Sequence, residues 1–474
     1  MKMRTISIIA AVVLVGLLVG PAGAKRDDLY ERYEMLTTVV DKIMENYVTD
    51  VDRQKLFYGA YEGMLQTLDP YSQFLPPTNK EDLEIDTKGE FGGVGIEITL
   101  DDHKVLSVIT PLEGTPAFKA GVQAGDKIWK IDGKNTEGMT LLDAVQKLRG
   151  RKGTSVTITV THETEPRKPV DIAIVRDIIK IKSIVDSRMV DDKAKIAYVR
   201  MTQFQEKTAG ELEETLQSLK AQGMHGLILD LRFNPGGLLK SAVDVCDLFI
   251  NSGVIVSTKG RNDVTREVYS AHEKPGLETY PMAVLVSGQS ASASEIVAGA
   301  MQDHKRAVIV GSRSFGKGSV QTVIPLENGK SAMRLTTAYY YTPSGRLIHR
   351  KPDATEKDDW GIYPDIEIKT PPKEIVKLWK EWRDRHLREN RPEGAAPDEP
   401  GGEPKPDEGA AKPEVKENGN DEIGADEIDA GDDAAGNAPP AAKEAEEPFV
   451  DKPLEAAKIF IRGQLFTSEK AAAK

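Results

Sequence analysis

Apolar residues at helical spacing mark the first folded part of the chain. Leu29, Tyr33, Leu36, Val40, Ile43 and Tyr47 recur every three or four positions, and Leu56, Ala60, Met64 and Leu68 repeat the pattern. This predicts an N-terminal helical region over 25–85, whose helices end at Asp69-Pro70 and Pro76-Pro77. The period then changes. Residues 86–180 alternate short β-rich runs with glycine turns, and one helix is expected near 141–148. Over 181–370, continuous apolar runs such as 226–231 and 283–286 lead through small-residue turns into helices, an α/β pattern. Residues 371–390 read as a charged helix carrying Trp379 and Trp382. Residues 449–474 hold a closing helix and tail, whose apolar positions between Leu454 and Leu465 are expected to dock on the core. The expected fold class is α/β and multidomain.

Charge separates one more segment from these. The 474 residues carry a net charge of −12, but 391–448 alone holds eighteen acidic and five basic residues, so the rest is near neutral. That stretch is rich in Pro, Gly, Ala and acid and poor in large apolar residues. It cannot bury enough surface to offset its chain entropy, so it is expected to be a disordered insertion. No basic patch argues for a nucleic-acid partner.

The start has the layout of a secretory signal. Lys2 and Arg4 precede an apolar stretch over 6–19, and Pro21-Ala22-Gly23-Ala24 ends in a small-x-small site. A signal peptide over 1–24, cleaved before Lys25, is expected. The alternative is an uncleaved anchor, for which the stretch is short against a span of roughly 20 residues. Either reading puts the body outside the cytoplasm, in the periplasm or cell envelope. Cys246 is the single cysteine, so no intrachain disulfide forms, and its place on an apolar helical pattern predicts core packing.

The candidate chemistry lies in two stretches. Ser287-Gly288-Gln289-Ser290-Ala291-Ser292-Ala293-Ser294-Glu295 is a serine-dense turn opening a helix, and Lys317, between Gly316 and Gly318, follows Ser292 by 25 residues. A serine hydroxyl needs a neighbour to take its proton. Lysine can serve once burial keeps it neutral. Four serines crowd the turn, so composition alone does not choose the nucleophile. Asp230-Leu231-Arg232-Phe233-Asn234-Pro235-Gly236-Gly237 follows a β-run and opens another helix. Free N–H groups at such a turn attract negative charge. Acyl transfer needs two donors for its oxyanion: Gly236 or Gly237 could give one, and Ala293 the other. Gly311-x-x-x-x-Gly316-Lys317 approaches a phosphate-binding loop, but Gly318 stands where a hydroxyl residue is required and a strand follows instead of a helix. His304 reads as a polar helix end. No Cys/His spacing suggests a metal, and no cofactor is expected.

A third stretch, Phe91-Gly92-Gly93-Val94-Gly95-Ile96, has glycine amides placed to receive a carboxylate. The run from Ile96 can pair with an extended peptide. Gly92, Gly93, Val94, Gly95 and Ile96 are the candidate peptide-binding residues.

Together these stretches resemble the carboxy-terminal processing proteases, or tail-specific proteases. Asp69-Pro70-Tyr71-Ser72, Lys88-Gly89-Glu90-Phe91, Leu231-Arg232-x-Asn234-Pro235-Gly236-Gly237, Ser290-Ala291-Ser292-Ala293-Ser294-Glu295 and Gly316-Lys317-Gly318-x-x-Gln321 stand in the family's order. The resemblance implies a PDZ domain over 86–180 and a ClpP/crotonase-like protease core over 181–370. It assigns Ser292 as nucleophile, Lys317 as general base and Gln321 as the residue orienting the lysine amine. It implies oxyanion donors at the Pro-Gly-Gly turn and Ala293. The implied partners are protein or peptide substrates with free apolar C-termini, an adaptor protein and further copies of the chain in a homo-oligomer. The acidic insertion departs from the family pattern. The alternative function is a catalytically silent PDZ adaptor of the cell envelope.

Overall fold

A computed structural model describes residues 27–101, 103–162, 168–276, 279–389 and 449–472; the expected signal peptide over 1–24 and the acidic stretch over 391–448 lie outside these. The chain divides into two units, 1–369 with 456–474, and 370–455.

The first unit begins with the helices Asp27–Asn46 and Arg53–Gln66. Asp52 caps the second, accepting the Gln54 and Lys55 N–H groups at 2.9 and 3.2 Å. Two features depart from the all-helical expectation over 25–85. Gln73–Leu75 is a strand, paired with Ser331–Tyr341. Pro76-Pro77 starts a helix, Pro77–Lys88, rather than ending one. Proline at the first helical position gives up only an N–H that would have no partner there. The apolar positions Leu29, Tyr33 and Leu36 of the first helix are exposed.

Two apolar cores follow. One is built from Val94, Ile128, Ile131, Val156, Ile158 and Ile174 and belongs to a six-stranded antiparallel sheet. Its strands alternate buried and open positions, as Ser155–Thr161 does, because one face is covered. Ile96–Leu100 is an edge of this sheet, paired among the described residues only with Leu106–Pro111, and the helix Leu141–Leu148 lies against it. Thr140 and Asp143 cap that helix reciprocally. Glu90–Gly93 pairs with Asp177–Lys180 to form a separate two-stranded stem.

The larger core surrounds a sheet ordered Ile184–Asp191, Ile196–Met201, Gly226–Asp230, Met282–Val286, Val308–Gly311 and Ile366–Glu367. Only the first pair is antiparallel. Gly226–Asp230 and Met282–Val286 are buried at every position, which is why they read as unbroken apolar runs. Cys246 is fully buried in this core, as expected. A second sheet places Ser331–Tyr341 between Gln73–Leu75 and Gly253–Lys259 and also pairs it with Ser319–Leu326. The C-terminal helix Lys452–Ala472 returns to this unit. Ile461 is fully buried, and its Cγ2 is so near Gly226 that an added Cβ would stand 2.5 Å away. Arg462 bonds Asp191.

The second unit holds the charged helix Pro372–Glu389, where the Trp379 and Trp382 rings meet edge to face at 5.4 Å.

Candidate active site

Three neighbouring parallel strands set the site. Gly226–Asp230, Met282–Val286 and Val308–Gly311 lie side by side, and their C-terminal ends lead into the Pro-Gly-Gly turn, the serine turn and the lysine loop. Loops at such strand ends converge in open α/β sheets.

The serine turn is strained at one residue. Ser292 has φ 56° and ψ −113°, a conformation that side chains with a Cβ seldom adopt, and the helix Ala293–Asp303 starts directly after it. This sharp entry holds a nearly buried serine at the helix N-terminus, 7% exposed. The neighbouring serines are bound elsewhere. Ser290 Oγ donates to Leu231 O at 2.7 Å, and Ser294 Oγ to Asn234 O at 2.9 Å. Ser287 Oγ accepts the Phe233 N–H at 3.1 Å. These bonds stitch the serine turn to the Pro-Gly-Gly turn; among the described residues the Ser292 hydroxyl makes no such bond to that turn. The Tyr340 phenol lies beside it; burial pushes that phenol up to about 12, with the Ser292 hydroxyl acting in the opposite direction.

The Pro-Gly-Gly turn settles against the same residue. A Cβ on Gly236 would stand 2.8 Å from Ser292 Cβ and 2.9 Å from Ala293 N. The Gly236 N–H is held by Asn234 Oδ1 at 2.9 Å, so it is not open to a ligand. The N–H groups of Gly237 and Ala293 make no hydrogen bond among the described residues.

Glu295 ties serine and lysine together, a role that sequence reasoning missed. Its carboxylate is fully buried. Oε1 accepts Ser314 Oγ at 2.5 Å and Gly316 N–H at 2.7 Å; Oε2 accepts Ser292 N–H at 2.8 Å and Lys317 N–H at 2.9 Å. Two nitrogens sharing one acceptor at those distances stand within about 6 Å of each other. Burial pushes the Glu295 carboxyl up to about 7, against the pull of its four donors. The signal was present in the quoted stretch, where an acid follows the serine turn at the third helical position.

The Lys317 side chain is half-buried, with Nζ 4.9 Å from the centre of the Tyr71 ring. Burial first, then the Arg334 guanidinium, lowers its pKa, while Glu295 opposes them. Among the described residues no hydrogen bond joins Nζ to Ser292 Oγ; catalytic hydrogen bonds often tighten only around substrate. Tyr71 arrives from the turn before the unforeseen strand Gln73–Leu75. Asp69 shapes that turn, accepting the Tyr71 and Ser72 N–H groups at 2.7 and 2.8 Å.

Gln321 was expected to orient the lysine amine. Its Nε2 donates to Ser319 Oγ at 2.8 Å and Thr336 Oγ1 at 3.3 Å, and it makes no bond to Lys317. A bulge between Val320 and Gln321 shifts the register and pairs Gln321 with Thr336. His304 caps the far end of the Ser292 helix and meets Val254 O at 2.7 Å, remote from the serine. His349, also unforeseen, lies against Gly318 with Nδ1 buried and unbonded among the described residues. No metal-binding cluster occurs among the described residues.

In the peptide-binding stretch, Gly95 has φ 80° and packs on Thr115, whose Oγ1 donates to Gly95 O at 3.0 Å. Val94 turns into the core, and Gly92 and Gly93 pair with the stem strand. The free edge of Ile96–Leu100 is open to an added strand.

The peptidase family S41 profile matches residues 195–368, and a PDZ domain profile matches 83–161. A carboxy-terminal-processing protease of Bartonella bacilliformis is 47% identical over 355 residues, covering 73% of this chain and 77% of that protein. The chain belongs to peptidase family S41. The profile of the activating protease CtpB N-terminal domain matches 21–78. The carboxy-terminal processing protease CtpA of Bacillus subtilis is 33% identical over 381 residues, 78% of each chain. A solved photosystem II D1 C-terminal processing protease aligns with 68% of this chain and 84% of its own at 33% identity, with TM-score 0.41. This S41 protein is a serine peptidase of the C-terminal processing type with a PDZ domain, and the silent-adaptor alternative falls away.

Proposed function

We propose that Ser292 is the nucleophile and Lys317 the general base of this peptidase. Ser292 Oγ attacks the scissile carbonyl carbon as its proton passes to Lys317 Nζ. The carbonyl oxygen, now negative, is met by the Gly237 and Ala293 N–H groups. Collapse of the tetrahedral adduct breaks the C–N bond, and the lysine returns the proton to the leaving amine. Water, deprotonated by the same lysine, then hydrolyses the acyl-serine. The observation that carries this reading is the single carboxylate oxygen of Glu295 holding the amides of both residues. Gln321 acts at one remove, through Ser319 and Thr336, on the strand that follows the lysine loop.

Substrate enters, on this reading, by its C-terminus. The glycine turn over 92–95 receives the carboxylate, and the open edge of Ile96–Leu100 pairs with the last residues of an unfolded chain. The basic start and short apolar stretch support export to the periplasm or cell envelope. The exposed apolar face of Asp27–Asn46 supports self-association. An adaptor protein would act by bringing substrates to the PDZ domain. The test is cleavage of a denatured protein by wild type beside Ser292→Ala and Lys317→Arg. Both variants are expected to stay folded and inactive, because guanidinium keeps its proton. Near-normal cleavage by Lys317→Arg would refute the lysine as base.

A further inference from the structure

The lysine loop has two sides, and only one faces Glu295. Its other side rests on the segment 348–362, which sequence reasoning assigned no task. Arg350 N–H donates to Gly316 O at 2.8 Å, Ser314 N–H to Ile362 O at 3.1 Å, and Ile362 N–H to Ser314 Oγ at 2.7 Å. Gly316, at φ 86°, presses so closely on this segment that a Cβ would stand 2.8 Å from Arg350 Cβ and 2.9 Å from Trp360 Cε3. Trp360 is the buried wedge, 5% exposed. The guanidinium carbons of Arg313 and Arg350 lie 3.4 and 4.4 Å from its ring centre.

Arg313 holds the wedge in place. It is buried, and its donors go to the carbonyls of Trp360 at 3.0 Å, Glu356 at 3.0 Å and Asp358. A buried arginine that satisfies three carbonyls of one excursion fixes its backbone; its nearest carboxylate, on Glu356, stands 3.7 Å away and is exposed. Trp360 Nε1 closes the excursion on Thr355 O at 2.9 Å.

We propose that Trp360, locked by Arg313, is a positioning residue for the base: it supports Gly316 from beneath and so fixes where Lys317 points. Trp360 itself touches neither Ser292 nor substrate. This rests on the assignment of Lys317 above. Removing the wedge lets the loop settle and admits water beneath it. The lysine amine is then misplaced and better solvated.

The test measures kcat, KM and the pH–rate profile on a peptide with a free apolar C-terminus. Trp360→Ala should lower kcat by about 10- to 100-fold, the scale of an ångström-sized misplacement. KM should change by less than about threefold, because substrate capture lies elsewhere. The alkaline rise in rate should move up by about half a pH unit or more as Lys317 regains solvent. Trp360→Phe, which keeps a ring in the gap, should recover most of kcat. Lys357→Ala, on the exposed part of the excursion, should behave as wild type. A folded Trp360→Ala enzyme with the wild-type kcat and pH profile would overturn the proposal, and so would a loss confined to KM. If Trp360→Ala does not fold, Arg313→Lys decides by the same readouts, since an ammonium cannot bind three carbonyls in a fork. Lys317→Ala is assayed alongside. Its activity would sink the assignment of the base, whereas inactive Lys317→Ala beside normal Trp360→Ala sinks only the wedge.

Discussion

Glu295→Gln is the sharpest perturbation that leaves the proposed nucleophile and base intact. The glutamine has nearly the shape of the glutamate, but only one oxygen. If that oxygen stays toward the Ser292 and Lys317 amides, the new NH2 faces the Ser314 hydroxyl and the Gly316 N–H, now held at 2.5 and 2.7 Å by Oε1. The hydroxyl can rotate to accept; the N–H cannot. One buried donor is orphaned, at about 1–3 kcal/mol, and three bonds lose the strength that a charged acceptor adds, for a total near 2–5 kcal/mol. The flipped amide is worse, because it orphans both backbone donors on Oε2. The expected melt is lower by about 5 °C or more. The rate effect has two parts. Loosening the shared anchor of Ser292 and Lys317 should lower kcat by about 10²-fold. Removing the negative charge that raises the Lys317 pKa should move the rise in rate to lower pH, by about 1 unit or less. The assay is initial-rate peptide cleavage from about pH 6 to 10, with a thermal melt on the same samples. A variant that melts like wild type and cleaves within about twofold of it would refute the role of Glu295 as the strut of the site.

Two further outcomes follow from the same geometry. As the proposed base, Lys317 must lose its proton to act, so kcat/KM should climb with pH through a value below the ordinary lysine 10.5, since burial and Arg334 both lower it. Arg334→Gln removes the cationic neighbour and should shift that climb upward by about half a unit or more; a climb already complete by about pH 6 would contradict the lysine mechanism. At the other domain, a peptide with a free C-terminal carboxylate should be bound and cleaved at least about tenfold better than its amide, read by titration and by kcat/KM, because amidation removes the charge that the glycine turn is proposed to hold. Equal values for the two peptides would exclude carboxylate recognition at 92–95.

What was legible in the chain, and what was not, follows from the range of the interactions. Gly226–Asp230 and Met282–Val286 declared themselves because full burial on both faces demands unbroken apolar runs. The turns after them carried Ser292 and Gly237 in local sequence, and the lysine loop was marked by its flanking glycines. The three-residue strand Gln73–Leu75 was lost between two helical stretches because its cause is remote: its partners are Arg334, Met333 and Ala332, more than 250 residues away. With it went the position of Tyr71 beside Lys317. The pairing of Gln321 with Thr336 was hidden for a related reason, since a bulge is a property of two paired strands and leaves little trace in one. The long-range work of Glu295 escaped notice because three of its four donors lie 19 to 22 residues downstream. A buried carboxylate that joins two loops is costly to keep unless every lone pair is used. The site therefore rests on a group that does no chemistry. The spacing of Ser292 and Lys317, the proposed nucleophile and base, is set by their backbone amides on one of its oxygens, so identical Ser and Lys side chains on a chain lacking that acid would not be expected to meet.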